Sequence, residues 1–208
     1  MKTNIKKIAV NWTEIKNECR HTDNKEDTDK AATTKFIKQL LISEHSPIRL
    51  GRIKWSWDGI KSWISVHFAR HWLGWEKWVS TRRSDRTGID RNRLRQDELV
   101  NMDVEANIQA LINVSRFRLC KQASAETREY MMDLKAEIKE RGQKEISDVM
   151  VPNCIYRMGC SEFKCCGHFQ TFLSWAFARG HDYAEMKDIQ TRYDLYNEFF
   201  YSEVLKNE

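Results

Sequence analysis

No apolar run in this chain approaches the roughly 18 residues that would cross a bilayer, no secretory leader is expected, and no internal repeat or low-complexity tract is seen. These absences predict a soluble, cytoplasmic protein with no membrane partner and exclude fibrous and disordered classes. A one-signed charge stripe is also missing. The 35 basic and 30 acidic residues are interspersed for a net charge of +5, and the densest basic stretch, Arg82 to Arg95, is interrupted by Asp85 and Asp90. A nucleic-acid partner is therefore not expected; a local cationic focus suits a small phosphorylated ligand instead. A C-x-x-C pair is lacking too, and six cysteines in a chain of this length read as reduced thiols rather than a disulfide framework. Cys154, Cys160, Cys165, Cys166 and His168 do gather soft ligands within fifteen residues. The neighbours Cys165 and Cys166 cannot easily share one ion, so no metal is assigned and these thiols are taken as loop packing.

What is present is apolar and aromatic mass. With 41% apolar residues and eight tryptophans among 208 residues, the chain can bury one sizeable core. Lys6 to Val10 reads as a short strand, and the polar stretch Asn17 to Lys30 as a surface connection. Ala31, Phe36, Leu40 and Leu41 have helical spacing over Thr28 to Ile42, stopped by Ser43-Glu44-His45-Ser46-Pro47. Ile53, Trp55 and Trp57 alternate with polar residues as a half-buried strand does, and Asp58-Gly59 signals a turn after it. Ile60 to Phe68 forms a second apolar element. A helix is predicted over Asp103 to Leu119, with Val104, Ile108, Leu111 and Val114 on one face, and another over Ala123 to Arg141, capped at Gly142. Val151 to His168 is irregular, and Tyr183 to Leu205 returns to helix. The composition shift divides the chain into a domain over 1–141 and an extension over 142–208.

The chemistry-bearing segment runs from Val66 to Arg82. His67, Arg70 and His71 precede Ser80-Thr81-Arg82, whose hydroxyls, amides and guanidinium can converge on a phosphate. This segment resembles the signature of the flavin-dependent thymidylate synthases, R-H-R-x-x-S-x-N-E-x-S-x-R-Y, in which Arg70, His71, Ser80 and Arg82 match without gaps. Trp72, Trp75, Lys77-Trp78 and Arg83 depart from it, and His67 replaces a Gln that precedes it. Asn107-x-Gln109-x-Leu111-x-Asn113 followed by Phe117-Arg118-Leu119 is similar to the family's N-x-R-x-L-x-N-F-x-x-L-R-L helix. Gln122 to Arg128 resembles H-A-Q-x-E-I-R, Arg91-x-x-Leu94 resembles A-R-x-x-L-P, and Ser46-Pro47 resembles the family's Thr-Pro flavin loop. The matches span roughly Ile42 to Arg128. Only seven residues separate Arg83 from Arg91, where the family carries a much longer helical segment.

The resemblance implies an α+β fold with a mainly antiparallel sheet covered by helices, plus an extra helical C-terminal tail. It implies reductive methylation of dUMP to dTMP with methylenetetrahydrofolate and NADPH through FAD, in a homotetramer. His67, Ser80, Thr81, Arg82 and Arg118 would hold the nucleotide. Arg91 and His71 would be catalytic, the former as a cation against the pyrimidine. Ser46, Arg70, His71, Asn107, Gln109 and Asn113 would face FAD. Trp72, Trp75 and Trp78 either stack on flavin, folate or base faces or pack a core or subunit interface. Two alternatives stand beside methylation: another pyrimidine-modifying reaction such as hydroxymethylation, or a nucleotide or nucleic-acid binder that has lost flavin.

Overall fold

The computed structural model describes residues 2–206. Four strands form one antiparallel sheet in the order β1-β2-β4-β3: β1 is Thr3–Ala9, β2 Arg52–Lys61, β3 Trp75–Val79 and β4 Leu99–Asn107. Helices cover it: α1 (Trp12–Thr22), α2 (Thr34–Ile42), α3 (Ser62–Ala69), the single turn α4 (Ser84–Thr87), α5 (Ile108–Arg118), α6 (Ala125–Glu140), α7 (Lys144–Val149), α8 (Asn153–Arg157), α9 (His168–Phe177) and α10 (Ile189–Phe199). The architecture is therefore α+β, with a helical C-terminal stretch. No helix among the described residues is long and apolar enough to cross a membrane.

The sheet follows from period-two burial. In β4, Val100, Met102, Val104 and Ala106 are buried while Asn101, Asp103 and Glu105 point away. Opposite them, Ile53, Trp55 and Trp57 of β2 face the same core. Trp55 meets Trp57 at 5.5 Å and Trp75 at 5.2 Å between ring centroids, and Phe68 of α3 lies 4.4 Å from Trp57. Edge-on and tilted contacts of this kind suit the aromatic quadrupole.

Three local expectations are corrected. The helix expected from Asp103 begins at Ile108, because Val104 belongs to the alternating strand β4 and Asn107 caps the helix, accepting the Ala110 N–H at 2.8 Å. Asp58-Gly59 does not end β2. The register against β4 shifts between Trp57 and Ile60, with Gly59 at φ +70°, so the dipeptide makes a bulge within one long strand. The supposed connection Asn17 to Lys30 is helical as far as Thr22. Asn11 caps α1 by accepting from Thr13 and Glu14 N–H at 3.1 and 3.2 Å, although Ile15 is its one fully buried side chain.

The C-terminal helices join the same buried apolar cluster as the sheet. Wholly buried Lys135 ties α6 to α7 and α10 by donating to the Ser147 carbonyl and to Asn197 Oδ1, and burial pushes its ammonium down to about 7.

Candidate functional site

Helix α3 and the turn after it carry the basic cluster, and α5 closes on it from the side. Arg118, in the last turn of α5, donates from Nε to His71 Nε2 at 2.9 Å and from Nη2 to the His67 carbonyl at 2.7 Å. His67 Nδ1 in turn meets Thr127 Oγ1 at 2.8 Å, and Lys77 donates to the His71 carbonyl at 2.6 Å. Burial, with Arg118 and Lys77 adding to it, pushes His71 down to about 4; burial, with Arg118 and Arg70 adding, also lowers His67. A neutral His71 is what allows its ring nitrogen to accept from a guanidinium. A pocket of about 170 Å³ opens beside this cluster, lined by Arg70, His71, Trp72, Leu73, Ala110, Asn113 and Val114. Arg70, His71 and Asn113 therefore meet at one place despite their separation in sequence.

His71 carries a pH consequence. Its folded-state value near 4 lies below the ordinary 6.5, so as pH falls from 6.5 toward 4 the unfolded chain takes up a proton that the folded chain refuses. Stability is complete above that window and declines through it. Urea midpoints measured from pH 7 to 4 are expected to fall less in His71→Gln than in the parent; parallel curves would contradict this.

The other expected residues divide into distinct groups. Arg82 reaches the opposite end of α3, donating to Ser62 Oγ at 2.7 Å and to the Arg95 carbonyl at 2.8 Å. Ser80 pairs with Asn101 through its N–H and its Oγ, at 2.9 and 3.0 Å, and Thr81 Oγ1 accepts the Arg83 N–H at 3.2 Å. The triplet thus fastens the end of β3 to its surroundings. Arg91 extends from an exposed 3-10 turn whose neighbours Arg83, Arg93 and Arg95 are paired with Asp85, Asp90 and Asp97. Ser46 lines a separate pocket of about 430 Å³ with His45, Phe36 and Cys19. Asn107 packs on Gly74, where an added Cβ would come within 2.2 Å of its Nδ2. Within one chain, then, His67, Arg70, His71, Asn113 and Arg118 are brought together, while Arg82, Arg91 and Ser46 stand at other stations.

Glu44 is the group that sequence reasoning missed. It holds a left-handed backbone at φ +52°, and its half-buried carboxylate accepts from Arg116 Nη2 and, at 2.5 Å, from Gln109 Nε2. Arg116 also lies over the Tyr156 ring at 3.7 Å. In sequence, Glu44 sits in a helix-stop segment, where a charged residue gives no sign of a partner 72 positions away. Glu44→Ala removes the carboxylate both donors share and leaves them only the longer bonds to Asn113 Oδ1 at 3.3 and 3.4 Å, with an expected cost of about 2 kcal/mol. A lower urea midpoint at unchanged slope checks this, and an unmoved midpoint contradicts it.

The tryptophans split. Trp75 is buried in the aromatic core, whereas Trp72 and Trp78 are 70% and 54% exposed. An odd separation on β3 sends Trp75 and Trp78 to opposite faces, and Trp78 has Lys54 over its ring at 5.2 Å.

No protein-family model and no curated protein matches the sequence. Solved structures do. Thymidylate synthase X from Helicobacter pylori, crystallised with FAD and dUMP, superposes with a TM-score of 0.59 at 10% identity, covering 72% of this chain and 99% of that one. A second structure, of the flavin-dependent thymidylate synthase ThyX of the same organism complexed with FAD and dUMP, gives 0.58 at the same identity and coverage. The fold is that of the flavin-dependent thymidylate synthases. At this identity the likeness fixes the path of the backbone and not the side chains. The short Arg83-to-Arg91 span holds the single turn α4, ended by Gly88 at φ +72°.

Proposed function

We propose that the protein is a nucleotide-modifying flavoenzyme of the thymidylate synthase type, methylating dUMP to dTMP with methylenetetrahydrofolate and NADPH through FAD. The observation that carries this reading is the convergence of Arg70, His71 and Asn113 from two distant segments onto one pocket, with Arg118 bonded to His71 beside it, in a fold shared with enzymes crystallised with FAD and dUMP. Their chemistry fits FAD: an exposed guanidinium for phosphate, an amide for a ring edge and the open Trp72 indole for a planar face. FAD would supply the hydride, which no amino-acid side chain can donate.

The chain's own part is binding and polarisation. Arg118, held by His71 and the His67 carbonyl, leaves its Nη1 end for a phosphate oxygen. Arg91, exposed and outside the neighbouring ion pairs, would lie against a pyrimidine and stabilise negative charge there. Ser80, Thr81 and Arg82 lie at a separate station by the opposite end of α3 and would reach the nucleotide only through the assembly, while Gln109 and Asn107 keep α5 in register. A pocket of about 170 Å³ is smaller than the roughly 300 Å³ at which ligand sites begin. The reading therefore includes a homotetramer in which a neighbouring copy completes each site and brings the separate stations to one nucleotide.

The test is the mass of the product from dUMP, FAD, methylenetetrahydrofolate and NADPH. A gain of one CH₂ supports methylation. A gain of one CH₂O transfers the reading to hydroxymethylation, and an unchanged nucleotide with no bound flavin replaces it with a binding role.

A further inference from the structure

Five of the six cysteines line one small cavity far along the chain from the flavin-type signature: Cys120 after α5, Cys154 in α8, Cys160, Cys165 and Cys166 in the loop before α9. Its free volume is about 10 Å³, the size of a single small sphere. Cys165 is turned to other work, its Sγ accepting the Gly167 N–H at 3.4 Å and donating to Gln170 Oε1 at 3.5 Å. That removes the difficulty of two adjacent ligands. It also leaves a different fourth thiol, because Cys120, thirty-four residues before Cys154, faces the same void.

We propose that Cys120, Cys154, Cys160 and Cys166 form a structural site for a soft divalent ion of the zinc class.

The loop itself gives an independent reason. Among the described residues, no backbone N–H from 160 to 166 donates to a backbone carbonyl, so little within the segment fixes its path. Two side-chain ties anchor it: Gln122, beside Cys120, donates to the Lys164 carbonyl at 2.7 Å, and Asn153, beside Cys154, donates to Ser161 Oγ at 2.8 Å. Each tie brings a ligand-bearing segment to the loop. Lys121 and Glu162 both line the cavity, so these two side chains add no net charge beside the thiols. As they stand, no three His, Cys, Asp or Glu side chains among the described residues are at ligating geometry. Binding draws the thiols inward by rotation about χ1, each S–H giving its proton to solvent as an S–metal bond forms, with no change of oxidation state.

The experiment is cobalt(II) titration of the full chain, reduced and stripped with chelator. The expected result is a thiolate-to-cobalt charge-transfer band with strong visible absorption, saturating at one ion per chain and displaced by zinc. Cys160→Ser and Cys166→Ser, on the irregular loop, should keep the far-ultraviolet circular dichroism of the parent yet bind cobalt about tenfold or more weakly, with a weaker charge-transfer band. Cys120→Ser should do the same, while Cys165→Ser and Cys19→Ser should match the parent. No charge-transfer band in the parent overturns the proposal, as does a Cys165→Ser variant as impaired as Cys166→Ser.

Discussion

Trp75→Ala is expected to lower the unfolding free energy by about 4 kcal/mol, a large share of the roughly 5–15 kcal/mol that holds a domain folded. Trp75 is fully buried, edge-on to Trp55 at 5.2 Å and stacked with Phe68 at 6.2 Å, and its ring meets His71 at 6.0 Å. Truncation removes apolar surface from the core and leaves a cavity that a sheet on one side and α3 on the other cannot readily close. Trp75→Phe refills most of it and should recover at least half the loss. Urea unfolding of the three proteins checks this. If Trp75→Ala costs less than about 1 kcal/mol, the residue is not the core element described. The exposed Trp72, replaced by alanine, should leave stability within about 0.5 kcal/mol while weakening flavin binding.

The second large effect is on activity. Arg118→Ala is expected to reduce kcat/KM for the nucleotide by about 100-fold or more, the range associated with loss of a positioned donor. Arg118→Lys should recover little, since one ammonium cannot bond His71 Nε2 and the His67 carbonyl while still presenting a donor to a phosphate. A purely structural role would show itself as a fall in stability with kcat/KM per folded molecule unchanged. A value within about threefold of the parent would remove Arg118 from the nucleotide site.

The physics of each segment decided how much could be read before the fold was known. Strand β2 and helix α6 announced themselves because alternation at Ile53, Trp55 and Trp57, and helical spacing ended by Gly142, have one interpretation each. Helix α1 did not, since its short stripe of Trp12, Ile15 and Cys19 is set among polar residues and only Ile15 is fully buried. The β4 to α5 junction misled because Val104 fits both a strand of period two ending at Ala106 and a helical face beginning at Ile108. At the site, Arg70, His71 and Arg118 could be paired in advance only through resemblance to a family signature. Nothing local tells a solvated helix arginine from one whose Nε reaches a histidine 47 positions away. Glu44 and Cys120 escaped for the same reason: their partners come from chain topology, not from spacing.

The proposed function requires that this fold, with its altered and tryptophan-rich signature, react at C5 of a deoxyuridylate ring. Tritium release from 5-tritiated dUMP, supplied with FAD, methylenetetrahydrofolate and NADPH, measures that reaction at the atom concerned. Release that needs all three additions and is lost in Arg118→Ala is the predicted result. Flavin-loaded protein that binds dUMP yet leaves all the tritium on the ring would contradict it.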